Sequence, residues 1–219
     1  MMAKKKNLKS SDIVTMYMDY VLEHNKQPNS VYSFSKSNNF EEALFYEHYG
    51  SFKALEQSIF GSFFDHTMDI LEKSKDYQLF EARNKLLSFY FTFFEILTAN
   101  RSYVNYILAK QKSKLQSLEL LGHLRRMFTS YIKELDIQTL DLKQETLQKI
   151  QTRTLQESAW IQLVMTMKFW LEDTSSSFEK TDIFIEKSVN TSFDLINVAP
   201  LNSVIDLGKF LFKEKMHMN

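Results

Sequence analysis

Four glycines and two prolines in 219 residues leave this chain few places to break a helix. Gly interrupts regular structure through backbone freedom, and Pro through its locked φ and missing N–H. Their scarcity, with plentiful Leu, Lys, Glu, Gln and Met, predicts a nearly all-helical protein. The length suffices for one sizeable core or for a small domain beside a larger one. Nineteen Phe, ten Tyr and ten Met supply a large aromatic interior or an apolar pocket, and composition alone leaves both open.

The absence of cysteine excludes disulfides, thiol catalysis and cysteine-based zinc sites, and fits a cytoplasmic location. The N-terminal MMAKKKNLKSSD has lysines with no apolar stretch behind them, so it does not read as a signal peptide. No run of about 18 apolar residues is present, so no transmembrane helix is expected. Net charge is zero, which does not indicate a strongly basic nucleic-acid binder.

Along the chain, residues 1–9 read as a disordered basic tail. SSDIVTMYMDYVLEH places Ile13, Met16, Tyr17, Tyr20 and Val21 at helical spacing, with Ser11 as cap. After Pro28, Ser30 caps VYSFSKS. Asn38-Asn39 forms a tight turn, because Asn tolerates a left-handed backbone. EEALFYEHY is a short helix ended by Gly50-Ser51, and Ser51 caps a connecting helix to about residue 75. This is a helix-turn-helix layout. Further helices are expected over 78–99, from a cap at Asn100, over 113–135, 140–173 and 178–198, and over 201–215 after Pro200.

From Ile13 to Leu55 the chain resembles, without a gap, the N-terminal domain of TetR-family transcriptional regulators. The residues that carry the resemblance are Ile13-Val14, Ser30-Val31, Phe34-Ser35, then Ala43-Leu44-Phe45-Tyr46-Glu47-His48-Tyr49-Gly50-Ser51 and Ala54-Leu55. The resemblance implies a helix-turn-helix domain at 10–55 and a helical ligand-binding and dimerisation domain at 56–200. It also implies a homodimer formed through about 155–198. Tyr46, Tyr49, Leu44 and Leu55 are expected to pack the small domain. The plan is also similar to that of TetR-related lipid-binding proteins of ubiquinone biosynthesis, which lack DNA binding and end in an amphipathic helix.

The DNA-reading positions depart from the family pattern. Glu41 and Glu42 stand where a Ser-Lys or similar pair is usual, Asn39 replaces the turn glycine, Phe52 replaces a lysine, and Val21 replaces a phenylalanine. From Asp12 to Phe60 there are three lysines and seven acids, a charge of 3 − 7 = −4. Duplex affinity depends on cations that release counterions. The first arginine is Arg83, so no side chain here makes a bidentate guanine contact. Glu41 and Glu42 also suit a helix N-terminus. The candidate DNA-contacting residues are Lys4, Lys5, Lys6, Lys36, Glu42, Tyr46, His48 and Lys53.

No nucleophile–base order, phosphate loop or paired-carboxylate motif stands out, so the expectation is a protein that is not an enzyme and needs no cofactor. Asp65, His66 and Asp69 cluster on the connecting helix, but a single histidine there argues for a solvated face over a metal site. His123 beside Arg125-Arg126 reads as surface. The aromatic-rich helices nominate Phe89, Tyr90, Phe93, Phe94, Tyr103, Tyr106, Trp160 and Met167 as core or as the lining of a pocket for a hydrophobic or lipid-like ligand. Residues 201–219, with Leu201, Val204, Ile205, Leu207, Phe210, Leu211 and Phe212, form a C-terminal amphipathic helix and tail. That helix packs back on the domain or meets a membrane surface or a partner. Two functions follow as expectations. One is a ligand-responsive, homodimeric TetR-like regulator with a weakened DNA surface. The other is a lipid- or isoprenoid-binding protein of the same fold that does not bind DNA.

Overall fold

The computed structural model describes residues 8–111, 113–135, 137 and 145–196. Lys4, Lys5, Lys6 and the expected C-terminal helix at 201–215 lie outside them. Every regular element among the described residues is helical. In chain order these are α1 (Ser10–His24), α2 (Val31–Ser37), α3 (Glu42–His48), α4 (Phe52–Glu72), α5 (Lys75–Leu79), α6 (Ala82–Ala99), α7 (Arg101–Ala109), α8 (Lys114–Leu120), α9 (Gly122–Glu134), α10 (Glu145–Glu172) and α11 (Glu179–Ile196). They group into two compact units. The first joins Met1–Ile70 with Thr92–Phe128, and the second joins Leu71–Phe91 with Thr129–Asn219.

Local signals set the first three helices. α1 begins one residue before the expected Ser11 cap, because the Lys9 N–H donates to the Asp12 carboxylate at 2.8 Å. Asn25 ends it in the left-handed region, at φ 50°. Ser30 and Ser33 cap α2 reciprocally. The Ser33 N–H donates to Ser30 Oγ at 3.1 Å, and the Ser30 N–H donates to Ser33 Oγ at 3.2 Å. Asn39 makes the turn into α3 at φ 57°, and Ser51 Oγ accepts from the Ala54 N–H at the start of α4.

Phe34 sits at the centre of the small core. Its ring lies 5.7–6.4 Å, centroid to centroid, from Tyr17, Tyr20, Phe40, Phe45 and Phe52. All five pairs are edge-on, the arrangement that ring quadrupoles favour. Phe45, fully buried, fills the position on α3 that Tyr46 was expected to pack. Tyr46 is 53% exposed. Neighbours on a helix point about 100° apart, so only one of the two can face the core.

Beneath these rings Tyr17 Oη donates to the buried Glu56 carboxylate at 2.5 Å, tying α1 to α4. Burial raises the Glu56 pKa, while the Tyr17 bond and the nearby Lys110 charge oppose the rise. A raised folded pKa means that the folded state binds this proton more tightly than the unfolded state. The resulting stability is complete below the ordinary glutamate value of 4.5 and is lost as pH rises through the folded value. Glu56→Gln keeps an acceptor for Tyr17 and removes the charge. Its thermal midpoint should therefore rise relative to wild type as pH increases above 4.5. Parallel pH profiles for the two proteins would refute this account.

One row of α4 faces α8 and α9. Lys53 Nζ pairs with Glu119 Oε1 at 2.5 Å, and Gln57 Nε2 donates to the Glu119 carbonyl at 2.9 Å. One turn further, Gly61 permits close approach: a Cβ there would stand 2.8 Å from His123 Nδ1. Asp65, His66 and Asp69 occupy exposed positions on α4.

Two helices expected as continuous are divided. The stretch 78–99 becomes α5 and α6, separated by extended backbone at Phe80, and 113–135 becomes α8 and α9 around Leu121. Asn100 precedes α7 without a side-chain cap, because its amide donates to the Ile96 carbonyl instead. The connecting helix ends at Glu72 rather than about 75.

In the second unit α10 packs against α11. Trp160, Leu163, Met167 and Trp170 form the buried face of α10, and Thr181, Ile185, Val189 and Phe193 that of α11. Tyr131 Oη lies 3.1 Å from the Lys85 carbonyl and 2.9 Å from Tyr77 Oη. A hydroxyl has one proton, so Tyr131 donates to Lys85 and Tyr77 donates to Tyr131. Arg83 pairs with Asp194 at 2.7 Å and covers the Phe193 ring at 5.5 Å.

The α10–α11 turn is held by Asp173, which is 7% exposed. Its carboxylate accepts from the Ser175 N–H and hydroxyl at 2.8 and 2.7 Å, and from the Thr181 N–H and hydroxyl at 3.0 and 2.7 Å. Burial favours the protonated acid, but the four donors more than reverse this and hold the carboxyl well below the usual carboxylate range. A depressed folded pKa gives stability that is present above the ordinary value of 3.8 and lost as pH falls through the folded value. Asp173→Ala should lower the thermal midpoint at neutral pH, and the gap to wild type should narrow on acidification below 3.8. A pH-independent gap would sink the electrostatic account.

Candidate functional site

The α2–α3 surface holds the described DNA-contact candidates. Lys36 Nζ lies over the exposed Tyr32 ring at 5.7 Å. Glu42 occupies the first turn of α3, where a carboxylate complements the helix dipole. Tyr46 and His48 are exposed further along α3. Lys53 follows on α4 and already has a carboxylate partner in Glu119. Glu41, Glu42 and Glu47 belong to the same short segment, so its field opposes a polyanion.

The aromatic candidates are mostly core. Phe89, Tyr90, Trp160 and Met167 are buried in the second unit; Phe93, Phe94 and Tyr103 are buried in the first, with Tyr106 half-buried. The Tyr103 and Tyr106 hydroxyls are buried without a hydrogen-bond partner among the described residues. Burial pushes both hydroxyls up in pKa, and the Glu56 charge adds to the rise.

An apolar concavity lies elsewhere in the second unit. A groove of about 1210 Å³ runs along α10 and α11, with Leu86 and Ile132 on its wall. Ile161, Met165, Ile183 and Leu195 line it while being 50–58% exposed. Phe169 and Phe184 stack across it at 4.6 Å. A polar cluster interrupts this lining: Gln162 Nε2 donates to Ser188 Oγ at 3.2 Å, and Ser192 Oγ donates to Gln162 Oε1 at 2.9 Å. None of the eight pocket candidates lines the groove.

The family resemblance implies a dimer surface over about 155–198 without separating the faces of these two helices. The missed signal is a second stripe on α10. Residues 155, 158, 162, 165 and 169 recur at spacings of 3, 4, 3 and 4, and all line the groove. On α11 the apolar residues Ile183, Phe184, Val189, Phe193 and Ile196 do not share one environment. Val189 and Phe193 are buried, whereas Ile183 is 50% exposed.

Residues 85–211, more than half of the chain, match the family model described as tetracyclin repressor-like, C-terminal domain. The chain belongs to the TetR family. No curated protein matches it. The all-α architecture is that expected of a TetR-family regulator. The matched segment includes both groove helices and all eight pocket candidates, seven aromatic residues and Met167, while the α2–α3 surface of this TetR-family chain precedes it. No helix among the described residues is long and apolar enough to cross a membrane.

Proposed function

We propose that this TetR-family regulator is a cytoplasmic homodimer joined through α10 and α11, responsive to an apolar ligand, with a DNA-reading face of reduced affinity. The exposed apolar groove carries the reading. Scattered apolar surface residues need no explanation, but a contiguous patch of them marks an interaction site. In a two-fold dimer the same patch covers itself on both copies. For the ligand, Phe93, Phe94 and Tyr103 of the first unit supply an apolar environment, and the Tyr103 and Tyr106 hydroxyls offer polar anchors. For DNA, the candidates are Lys36, Glu42, Tyr46, His48 and Lys53, together with Lys4, Lys5 and Lys6. A selection from genomic DNA at low salt tests the regulator, and native mass spectrometry of the purified protein tests for retained ligand.

The Lys53–Glu119 pair favours a second reading, in which the fold binds a lipid or isoprenoid, does not read DNA, and makes peripheral membrane contact through 201–219. Recovery of bound lipid with no enriched DNA sequence would select it. Glu119→Gln separates the two directly. If Lys53 faces phosphate, freeing it should raise low-salt DNA affinity by roughly a few fold and steepen the log–log salt slope by about 0.9 per protomer. Fluorescence anisotropy across a salt series reads both quantities, and an unchanged slope removes Lys53 from the interface.

A further inference from the structure

The groove stripe on α10 has the spacing of a helix–helix seam, with residues 155 and 158 before Gln162 and residues 165 and 169 after it. Two of its members are polar, Ser158 and Gln162; Gln162 is central, with Leu155 and Ser158 on one side and Met165 and Phe169 on the other. On α11 the facing positions 184, 188, 191 and 195 recur at spacings of 4, 3 and 4. Ser188 and Ser192 bind Gln162 from that helix, so its amide is held rather than left to wander. A primary amide has two N–H donors and a carbonyl with two lone pairs. Ser188 occupies one N–H, and Ser192 Oγ, 2.9 Å from both Gln162 Oε1 and the Ser188 carbonyl, shares its one proton between them and so takes at most one lone pair. One N–H and one lone pair remain without a partner among the described residues.

The geometry points to Gln162 as the register-fixing residue of the homodimer: its remaining N–H and lone pair join the same amide of a second copy in a reciprocal, two-bond pair across the two-fold axis. This inference rests on the dimer proposed above. A side chain that is at once donor and acceptor is self-complementary, which a two-fold axis requires of whatever lies on it. A seam displaced by one or two turns toward the C-terminal side would bury the amide opposite Met165 or Phe169. An unpaired buried polar group costs enough to disfavour such a register, as a single central polar residue does in coiled coils. The charged side chains lining the groove among the described residues, Lys180 and Lys187, both lie on α11, so on α10 the central amide is the group that offers two donors and a carbonyl to a facing copy.

Charge reversal between copies tests the contact itself. Sedimentation equilibrium at about pH 8 should find wild type dimeric. Gln162→Glu alone and Gln162→Lys alone should each dimerise at least about 100-fold more weakly, because like charges meet at the axis. An equimolar mixture of the two should restore the dimer as a heterodimer. Wild-type helical circular dichroism establishes the fold of each variant, and restoration on mixing establishes it independently. If each variant alone stays as dimeric as wild type, or the mixture stays monomeric while wild type dimerises, Gln162 does not meet its own copy. A monomeric wild type instead overturns the dimer reading beneath the inference.

Discussion

Phe34→Ala should lower the unfolding free energy by about 3–5 kcal/mol, the largest stability loss expected from one substitution in the helix-turn-helix unit. The ring is fully buried and touches five other aromatic rings from α1, α3, α4 and the α2–α3 turn. Deleting it removes transfer free energy and leaves a space among rings that are themselves fixed by neighbours. Phe34→Leu retains most of the volume and should cost less than half as much. Chemical denaturation monitored by helical circular dichroism measures both variants. A loss below about 1 kcal/mol for the alanine variant would mean that the surrounding rings collapse into the space, contrary to the close packing assumed here.

The second large effect concerns association. Met165 is 58% exposed in a single chain and lines the groove. Met165→Glu should leave the folded chain intact while placing one carboxylate from each copy in the proposed interface. An unpaired charge taken out of water costs about 3–5 kcal/mol, which corresponds to a dimer weakened by at least about 100-fold. Sedimentation equilibrium should show monomer at concentrations where wild type is dimeric. Lys168→Glu, at an exposed position outside the groove lining, is the control and should remain dimeric. Loss of dimer in both variants, or in neither, would argue against this face.

Much of the first unit was legible because its turns are written in short-range chemistry. Ser30 caps, Asn39 turns and Ser51 starts a helix through bonds to residues three positions away or fewer. The misplaced role of Tyr46 came from two adjacent aromatics, Phe45 and Tyr46, where periodicity does not say which faces inward. The break at Phe80 left no mark of the Gly or Pro kind, since tertiary packing rather than local propensity ends that helix, whereas the break at Leu121 is marked by Gly122, the first residue of α9. The acidic balance of the DNA-reading segment could be counted from the residues. The partner of Lys53 could not, because Glu119 lies 66 positions away. In α10 the difficulty was of another kind. A helix apolar on several faces is read as core, and only the structure separates the Trp160–Trp170 face from the Leu155–Phe169 face.

The four hydrogen bonds that Asp173 accepts have a consequence for the entropy of association. They fix the short link between α10 and α11, so the two halves of the groove face are ordered before any encounter. In the proposed dimer, association would then lose little further conformational freedom, and more of the favourable free energy of covering Ile161, Met165, Ile183 and Leu195 would remain as affinity. Because the contacts within this hairpin are close in sequence, it is also the kind of element that forms quickly. Pre-ordering at this turn would thus strengthen the proposed dimer through the chain's own hydrogen bonds rather than through contacts with the second copy.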